Sequence, residues 1–204
     1  MRRSIGITIC LLLICTVARG GDWAKRLHPG LSWGYSTTLL TYHHYNYQDQ
    51  SIGFRIDDSG WEPGFVSNGW VMAQIAVDIA PQLAVSFLSG YQGISRGRAF
   101  FPLVARFSLY PSGMQNDGIF IFADAGLNLL ESINSASAYA VQGGIGRRLA
   151  VAHRLAIDVH AGIRMAYDRP PVWDPLEEEY IAPSNVRRND AWNYSLNFGI
   201  ALVF

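Results

Sequence analysis

The chain of 204 residues is poor in two residue types that bear on its surface and its covalent chemistry. Its two cysteines, Cys10 and Cys15, both lie within the first twenty residues. If that segment is removed, the remaining chain forms neither a disulfide nor a thiolate metal site, and it has no cysteine nucleophile. Lysine occurs once, as Lys25, against fifteen arginines. This scarcity of lysine predicts that part of the surface does not face water.

Charged residues are also scarce, at 16% of the chain, and their formal net charge is zero. The balance excludes the basic surface of a nucleic-acid-binding protein. Hydrophobic residues make up 50% of the chain and aromatic residues 13%, which excludes an intrinsically disordered protein. No low-complexity linker divides the sequence, so we predict a single folded domain.

The first twenty residues have the pattern of a secretory signal peptide. Arg2 and Arg3 precede an apolar run that ends in small residues suited to cleavage. The run is shorter than the roughly 20 apolar residues that a transmembrane helix needs. We therefore predict a signal peptide over 1–20 and one mature domain over 21–204, with thirteen basic and sixteen acidic residues. The alternatives for export and processing are a twin-arginine signal and lipidation of Cys15.

Side chains alternate between large apolar and small or polar residues along the last thirteen residues, and residues 154–167 repeat the pattern. Two folds would produce this alternation. One is a secreted soluble β-barrel that binds a ligand, and the other is a membrane barrel whose apolar face contacts lipid. The intervening residues are rich in Gly, Ala, Ser and Asn with scattered charges, which favours a narrow polar lumen. The side chains predicted to face lipid in residues 154–167 include Leu155, Ile157, Val159 and Ile163.

Eight segments carry this alternation, and eight is an allowed strand number for an outer-membrane barrel. We predict an all-β fold, a closed antiparallel eight-stranded transmembrane up-and-down β-barrel, because an open sheet edge in hydrocarbon leaves backbone groups unpaired. The interior of such a barrel has room only for its own side chains, so a general diffusion pore is excluded. The predicted strands are 32–46, 66–80, 82–92, 98–110, 118–131, 136–148, 153–167 and 191–204.

The connections between these segments alternate in length. Two long ones, 47–65 and 168–190, are predicted to be external loops, and the short ones to be periplasmic turns. An even strand number then places both chain ends in the periplasm. Aromatic residues near the strand ends predict two interfacial girdles, one on the loop side and one on the turn side. The loop-side members are Tyr45, Trp70, Tyr91, Tyr139, Tyr167 and Trp192, and the turn-side members are Phe107, Tyr110 and Phe204.

The final strand from Trp192 to a terminal Phe204, together with the segments Arg106–Pro111 and Phe120–Gly126, resembles small outer-membrane β-barrel proteins of the Bacteroidota porin family. The resemblance covers the whole mature chain and implies a monomer in the outer membrane of a Gram-negative bacterium. The partners it implies are outer-membrane lipid and the barrel-assembly machinery. The assembly signal of the last strand would consist of Phe198, Leu202 and Phe204.

Charged side chains on the inward faces are expected to form an ion-pair and hydrogen-bond network, because buried charges must be paired. The predicted members are Asp78, Arg106, Asp124, Asp158, His160 and Arg164. The alternative is a lipid-modifying acyl enzyme, a class found among eight-stranded outer-membrane barrels, but no spacing singles out a serine nucleophile. We predict no enzyme, no catalytic residue and no cofactor. Adjacent His43 and His44 would point to opposite strand faces, so no metal site is predicted.

The long connections place aromatic residues beside carboxylates among several prolines. This composition is typical of a surface that binds an extracellular protein or glycan, and equally of a solvated acidic loop. The binding candidates are Asp57, Asp58, Trp61, Trp173, Glu177, Glu178, Glu179 and Tyr180. We therefore predict a structural or surface-binding role, and the sequence identifies no ligand.

Overall fold

A computed structural model describes residues 26–49, 53–95, 98–128, 136–152, 155–174 and 178–204. The predicted signal peptide and Glu177 lie outside these residues. Within the described ranges, no helix has the length and apolar character needed to cross a membrane.

Eleven β-strands make up nearly all of the described chain. Nine of them form one sheet, and the other two, β9 (Trp173–Asp174) and β10 (Glu179–Tyr180), form a small hairpin in the last long connection. A 3₁₀-helix, Pro183–Asn185, follows this hairpin. The strands of the main sheet are β1 (Leu27–Gln48), β2 (Arg55–Ala80), β3 (Leu83–Ser95), β4 (Arg98–Phe100), β5 (Pro102–Leu109), β6 (Gly118–Asn128), β7 (Ala136–Ala152), β8 (Leu155–Arg169) and β11 (Val186–Val203).

The main sheet closes into a ring of eight strand positions. Strands β4 and β5 both pair with β3 and together occupy one position, and every other neighbour in the ring is an antiparallel partner. β1 closes the ring by pairing with β2 on one side and β11 on the other, from Gly30 opposite Val203 to Tyr47 opposite Val186. The predicted all-β barrel with eight antiparallel strands is confirmed.

The two ends of the barrel differ in the length of their connections. Residues 81–82, 110–117 and 153–154 are the short connections at one end, which we call the short-turn end. Both described chain termini lie at this end, where the backbone N–H of Phe204 donates to the carbonyl of Pro29 at 2.8 Å. The connections after β1 and β8 are at the opposite end, which we call the long-loop end.

The prediction of a loop over 47–65 is wrong for most of that segment. β1 continues to Gln48 and β2 begins at Arg55, so the two strands form a long ribbon that turns over only at residues 49–54. β11 pairs with the same extension of β1. Alternation of apolar and polar residues signals a strand with one buried face, whereas this ribbon has polar side chains on both faces, with Trp61 and Phe65 exposed among them, and is held by backbone pairing.

The outer surface of the barrel is an almost uninterrupted apolar belt. Its exposed fractions reach 67% at Ile163 and 56% at Phe198, and the charged Arg147 lies on it near the short-turn end of β7. An apolar surface of this extent does not occur on a soluble monomer. Further exposed members are Leu31, Tyr35, Val71, Ile79, Phe87, Tyr91, Leu103, Phe107, Leu109, Ile119, Ile121, Leu127, Val141, Ile145, Val151, Val159, Ile200 and Phe204.

The lumen is filled by aromatic and aliphatic side chains as well as by polar ones. Trp70 packs with Met72 and Leu88, and a second cluster contains Tyr110 and Phe120 with neighbouring apolar side chains. The prediction that Trp70 and Tyr110 belong to the interfacial girdles is therefore wrong. Trp70 alternates with outward Val71, and Tyr110 shares its face with Arg106 and Ser108, so strand parity directs both rings inward.

Glycines on the inward face make room for these rings. A Cβ on Gly199 would lie 2.4 Å from Cζ2 of Trp70, and a Cβ on Gly146 would lie 2.3 Å from Cζ of Phe120. A Cβ on Gly144 would meet the Ala161 carbonyl oxygen at 2.3 Å and Cζ of Phe122 at 2.6 Å. The glycine-rich run in β7 is therefore explained by close packing against the lumen aromatics.

Two adjacent glycines of β7 test this packing directly. Gly144→Ala should destabilise the barrel by about 1–3 kcal/mol, because the new methyl group overlaps a backbone oxygen and a packed ring. Gly143→Ala is the matched control, since its Cβ would point outward and meet only the Phe122 carbonyl oxygen, at 3.9 Å. The measurement is the free energy of unfolding in urea for the refolded barrel in detergent micelles. Equal destabilisation by both variants would contradict the crowded lumen.

Candidate functional site

The lumen near the short-turn end contains an arginine-carboxylate pair joined by two hydrogen bonds. Arg148 donates from Nε to Oδ1 of Asp158 at 2.7 Å and from NH2 to Oδ2 at 2.6 Å. Its NH1 donates to the carbonyl of Met114 at 2.8 Å, and its guanidinium lies 4.3 Å from the ring centre of Tyr110. The Tyr110 hydroxyl accepts from Arg148 and donates to Asp158. A two-pronged ion pair whose guanidinium has two further acceptors lowers the cost of burying both charges.

A second arginine-carboxylate pair lies between β5 and β6. Arg106 donates from Nε and NH2 to the two carboxylate oxygens of Asp124, each at 2.8 Å, and its guanidinium lies 4.5 Å from the ring centre of Phe122. Arg164 is buried in the same part of the lumen, where it lines a cavity together with Arg106 and Asp124. The lumen charges therefore form separate clusters along the barrel.

His160 does not join either cluster, so the prediction that it completes a polar lumen network is wrong. Its ring centroid is 5.9 Å from that of Trp70 and 5.4 Å from that of Phe122, and neither imidazole nitrogen has a hydrogen-bond partner among the described residues. The polar neighbours in this layer bond to each other instead: the Trp70 indole N–H donates to Asn197, which donates to Gln142. No described serine is hydrogen-bonded to His160 in the arrangement of a nucleophile and its base.

Asp78 lies apart from the other predicted lumen residues. Its Oδ2 is 2.9 Å from Nε2 of His28 at the short-turn end. These two side chains line a vestibule of about 540 Å³ that also includes Arg148 and Met114 in its walls. The buried Arg148–Asp158 pair therefore lies at the inner side of this vestibule.

The lumen farther from the short-turn end, by contrast, contains a much smaller cavity. A cavity of about 40 Å³ is lined by Arg106, Asp124, Arg164 and Gln142 on its polar side and by Trp70 with other apolar residues on the other. This volume accommodates roughly one water molecule. Along the described strands between the vestibule and this cavity, the lumen is therefore a core of packed side chains.

The predicted surface-loop residues fall on two different elements. Asp57, Asp58 and Trp61 belong to β2, whereas Trp173, Glu179 and Tyr180 belong to the β9–β10 hairpin and Glu178 precedes β10 with a positive φ of 53°. The rings of Trp173 and Tyr180 pack edge to face with centroids 5.0 Å apart. Both rings remain about half exposed, at 48% and 61%. This hairpin presents the most exposed aromatic pair among the candidates.

Histidine and carboxylate side chains lie on both faces of the β1–β2 ribbon. Nε2 of His44 lies 2.8 Å from Oδ1 of Asp57, and Asn46 donates to Oδ2 of the same carboxylate. These two hydrogen bonds hold the pKa of Asp57 below its usual value. On the opposite face, His43 lies between Asp58 and Glu62, at 3.3 Å and 3.5 Å. No group of three or more metal-ligating side chains is arranged to hold an ion in the part of the chain that is described.

Burial raises the pKa of Tyr47, and so do the nearby carboxylates of Asp174, Asp49 and Asp58. Asp174 of β9 is therefore near enough to Tyr47, at the tip of the β1–β2 ribbon, to act on its charge. The sequence did not indicate this proximity, because the residues between β8 and β11 lack a repeating pattern.

No family model and no curated protein sequence matches the chain. The solved structures that match it include two outer-membrane proteins of low sequence identity. The outer membrane protein OprG from Pseudomonas aeruginosa has 11% sequence identity and a TM-score of 0.45, over 87% of this chain and 95% of that one. The outer membrane protease OmpT from Escherichia coli has 8% identity and a TM-score of 0.38, over 88% of this chain and 97% of that one.

Proposed function

We propose that the protein is an integral outer-membrane β-barrel of a Gram-negative bacterium, with a structural or surface-binding role and no transport path through its lumen. The observation that carries this proposal is the apolar belt around a closed ring of strands. Closure pairs the backbone groups of the wall, and apolar side chains outside it suit hydrocarbon. The assignment to the Bacteroidota porin family rests on the sequence resemblance alone and stays a prediction.

The packed lumen supports a role outside transport. The cavity of about 40 Å³ beside Arg106 and Asp124 is too small for a solute, and the Arg148–Asp158 pair fills the lumen beneath it. Large rings such as Trp70 and Phe120 occupy the space that a channel would need. The barrel therefore serves as a rigid support for the extensions at its long-loop end.

The connection lengths support an orientation with the short-turn end in the periplasm. Both described termini lie at that end, so the last strand reaches the periplasmic side. There, Phe198 and Leu202 lie on the outer face of β11, and Phe204 is exposed at its end. We propose that these three residues form the signal by which the barrel-assembly machinery recognises the chain.

Single-cysteine labelling tests the location and the orientation together. Tyr180→Cys lies in the β9–β10 hairpin and Gln115→Cys in the connection between β5 and β6, and both native cysteines lie within the predicted signal peptide. In intact cells, a membrane-impermeant maleimide should label Tyr180→Cys alone, and it should label Gln115→Cys only after the outer membrane is permeabilised. The reverse pattern would overturn the orientation, and recovery of the chain in a soluble fraction would overturn the membrane location.

An arginine on the outer face tests contact with hydrocarbon. Ile163→Arg, in the middle of β8, should lower the free energy of unfolding in lipid vesicles by about 2–4 kcal/mol, because a charge at the bilayer midplane loses its hydration. Ser59→Arg, on the β1–β2 ribbon, is the control and should change stability little. If the two variants are equally stable, the belt does not contact lipid.

The exposed rings of the β9–β10 hairpin support a surface-binding role toward an extracellular glycan. Aromatic side chains that pack against each other and stay about half exposed are suited to binding with little loss of conformational entropy. The double variant Trp173→Ala/Tyr180→Ala should lose at least tenfold in affinity for a glycan that the parent barrel binds on an immobilised glycan panel. Absence of glycan binding by the parent would leave the structural role as the function of this end.

A further inference from the structure

An arginine cluster lies on the outward face of β8 and β11, directly beyond the apolar belt at the long-loop end. Nε of Arg188 lies 2.6 Å from Oδ2 of Asp190, and Nε of Arg169 lies 3.5 Å from Oδ1 of the same carboxylate. The Tyr167 hydroxyl also donates to Asp190, at 2.6 Å. Both arginines are about half exposed, at 53% and 51%, whereas Asp190 is 18% exposed. The Arg169 Nε also donates to the Tyr167 hydroxyl at 2.9 Å, so the largely covered Asp190 and Tyr167 together position two accessible guanidinium groups.

The charge of this outward surface favours an anion. In both arginines the contact with Asp190 runs through Nε, so the terminal nitrogens are the donors that a bound anion would use. The neighbouring carboxylate of Asp57 accepts bonds from Asn46 and lies against His44, and Arg55 donates to Asn46 beside it. Among the described side chains of this surface, three arginines therefore accompany two carboxylates. Paired guanidinium groups match the geometry of a phosphate.

A row of aromatic rings lies immediately below the arginines, toward the centre of the belt. Trp61 packs against Tyr42 and Tyr194, with ring centroids 5.1 Å and 5.6 Å apart. Trp192 packs against Tyr167 at 5.0 Å. Together with Met165, the rings of Tyr42, Trp61, Trp192 and Tyr194 line a groove of about 300 Å³. Such amphipathic rings are suited to the boundary between headgroup and hydrocarbon.

A deeper groove of about 520 Å³ follows, lined by residues of β1, β11 and β8 and by Ile145 of β7. Its walls are Tyr35 and Phe198 with neighbouring aliphatic side chains, and its floor includes Gly199 and Ala161. Ala161 pairs with Phe198 across the β8–β11 ladder, so a small side chain beside a large ring produces the depression. The groove is almost wholly apolar and open to the outside, and its shape and chemistry suit an acyl chain.

Along β11, the arginine cluster, the aromatic groove and the deeper groove follow one another in this order. A phosphorylated glycolipid presents its phosphate, its sugar and its acyl chains in the same order. We propose that the outward face of β1, β11 and β8 binds one glycolipid of the outer leaflet. Its phosphate contacts Arg169 and Arg188, its sugar packs on the aromatic groove, and an acyl chain lies along the deeper groove. This inference rests on the proposed outer-membrane location with the long-loop end outside. The aromatic groove between the arginines and the hydrocarbon level favours a sugar headgroup over a glycerol phosphate.

Native mass spectrometry of the mature barrel in detergent, with lipid A added as the probe, tests the site. The double variant Arg169→Gln/Arg188→Gln should bind lipid A at least tenfold more weakly than the parent. Arg187→Gln is the matched control, because Arg187 is the neighbour of Arg188 on the opposite strand face, and it should bind as the parent does. Dephosphorylated lipid A should bind the parent as weakly as lipid A binds the double variant.

Three outcomes would overturn the glycolipid site. They are unchanged lipid A binding by the double variant, equal losses in the double variant and Arg187→Gln, and equal affinity of the parent for lipid A and phosphatidylglycerol. Heat-modifiable gel migration of each sample shows whether the barrel itself is folded. A folded barrel that inserts into vesicles yet fails the lipid A test retains the proposed function and loses only this site. A chain that does not insert into vesicles fails the proposed function itself.

Discussion

Hydrogen bonding of the backbone around a closed ring is the constraint on which the rest of the molecule depends. β1 pairs with β2 and with β11 over nearly its whole length, so the first and last strands of the ring leave no open edge. In hydrocarbon an unpaired backbone group costs several kcal/mol, which makes closure obligatory for a wall that faces lipid. With eight positions the ring is narrow, and the side chains inside it have to fill the lumen themselves.

Charges and aromatic rings fill that lumen together. Arg148 and Asp158 form one ion pair and Arg106 and Asp124 form another, while the rings of Trp70, Phe122 and His160 form an aromatic layer next to the second pair, with the Arg106 guanidinium 4.5 Å from the Phe122 ring centre. Two hydrogen bonds join the members of each ion pair, which avoids leaving one charge buried without its partner. The aromatic layer is possible because inward glycines remove side chains from the opposing wall.

The sequence predicted the architecture better than the contents of the lumen. Period-two alternation identified eight strands and their outward faces, because half of each strand had to be apolar. It missed the extension of β1 and β2, where both faces are polar. Trp70 and Tyr110 were assigned to the girdles from their positions near strand ends, although strand parity directs them inward. His160 was predicted to be hydrogen-bonded from its strand face alone, and the face does not specify which neighbours share its layer.

Several lumen contacts join strands that are not neighbours in the wall. The Trp70 indole on β2 reaches Asn197 on β11 past β1, and Asn197 reaches Gln142 on β7 past β8. Arg148 on β7 reaches Tyr110, at the end of β5, past β6. These hydrogen bonds cross the lumen, whereas the sheet ladders connect only adjacent strands of the wall. Flattening the barrel would stretch or compress the crossing hydrogen bonds, so they add resistance to that deformation.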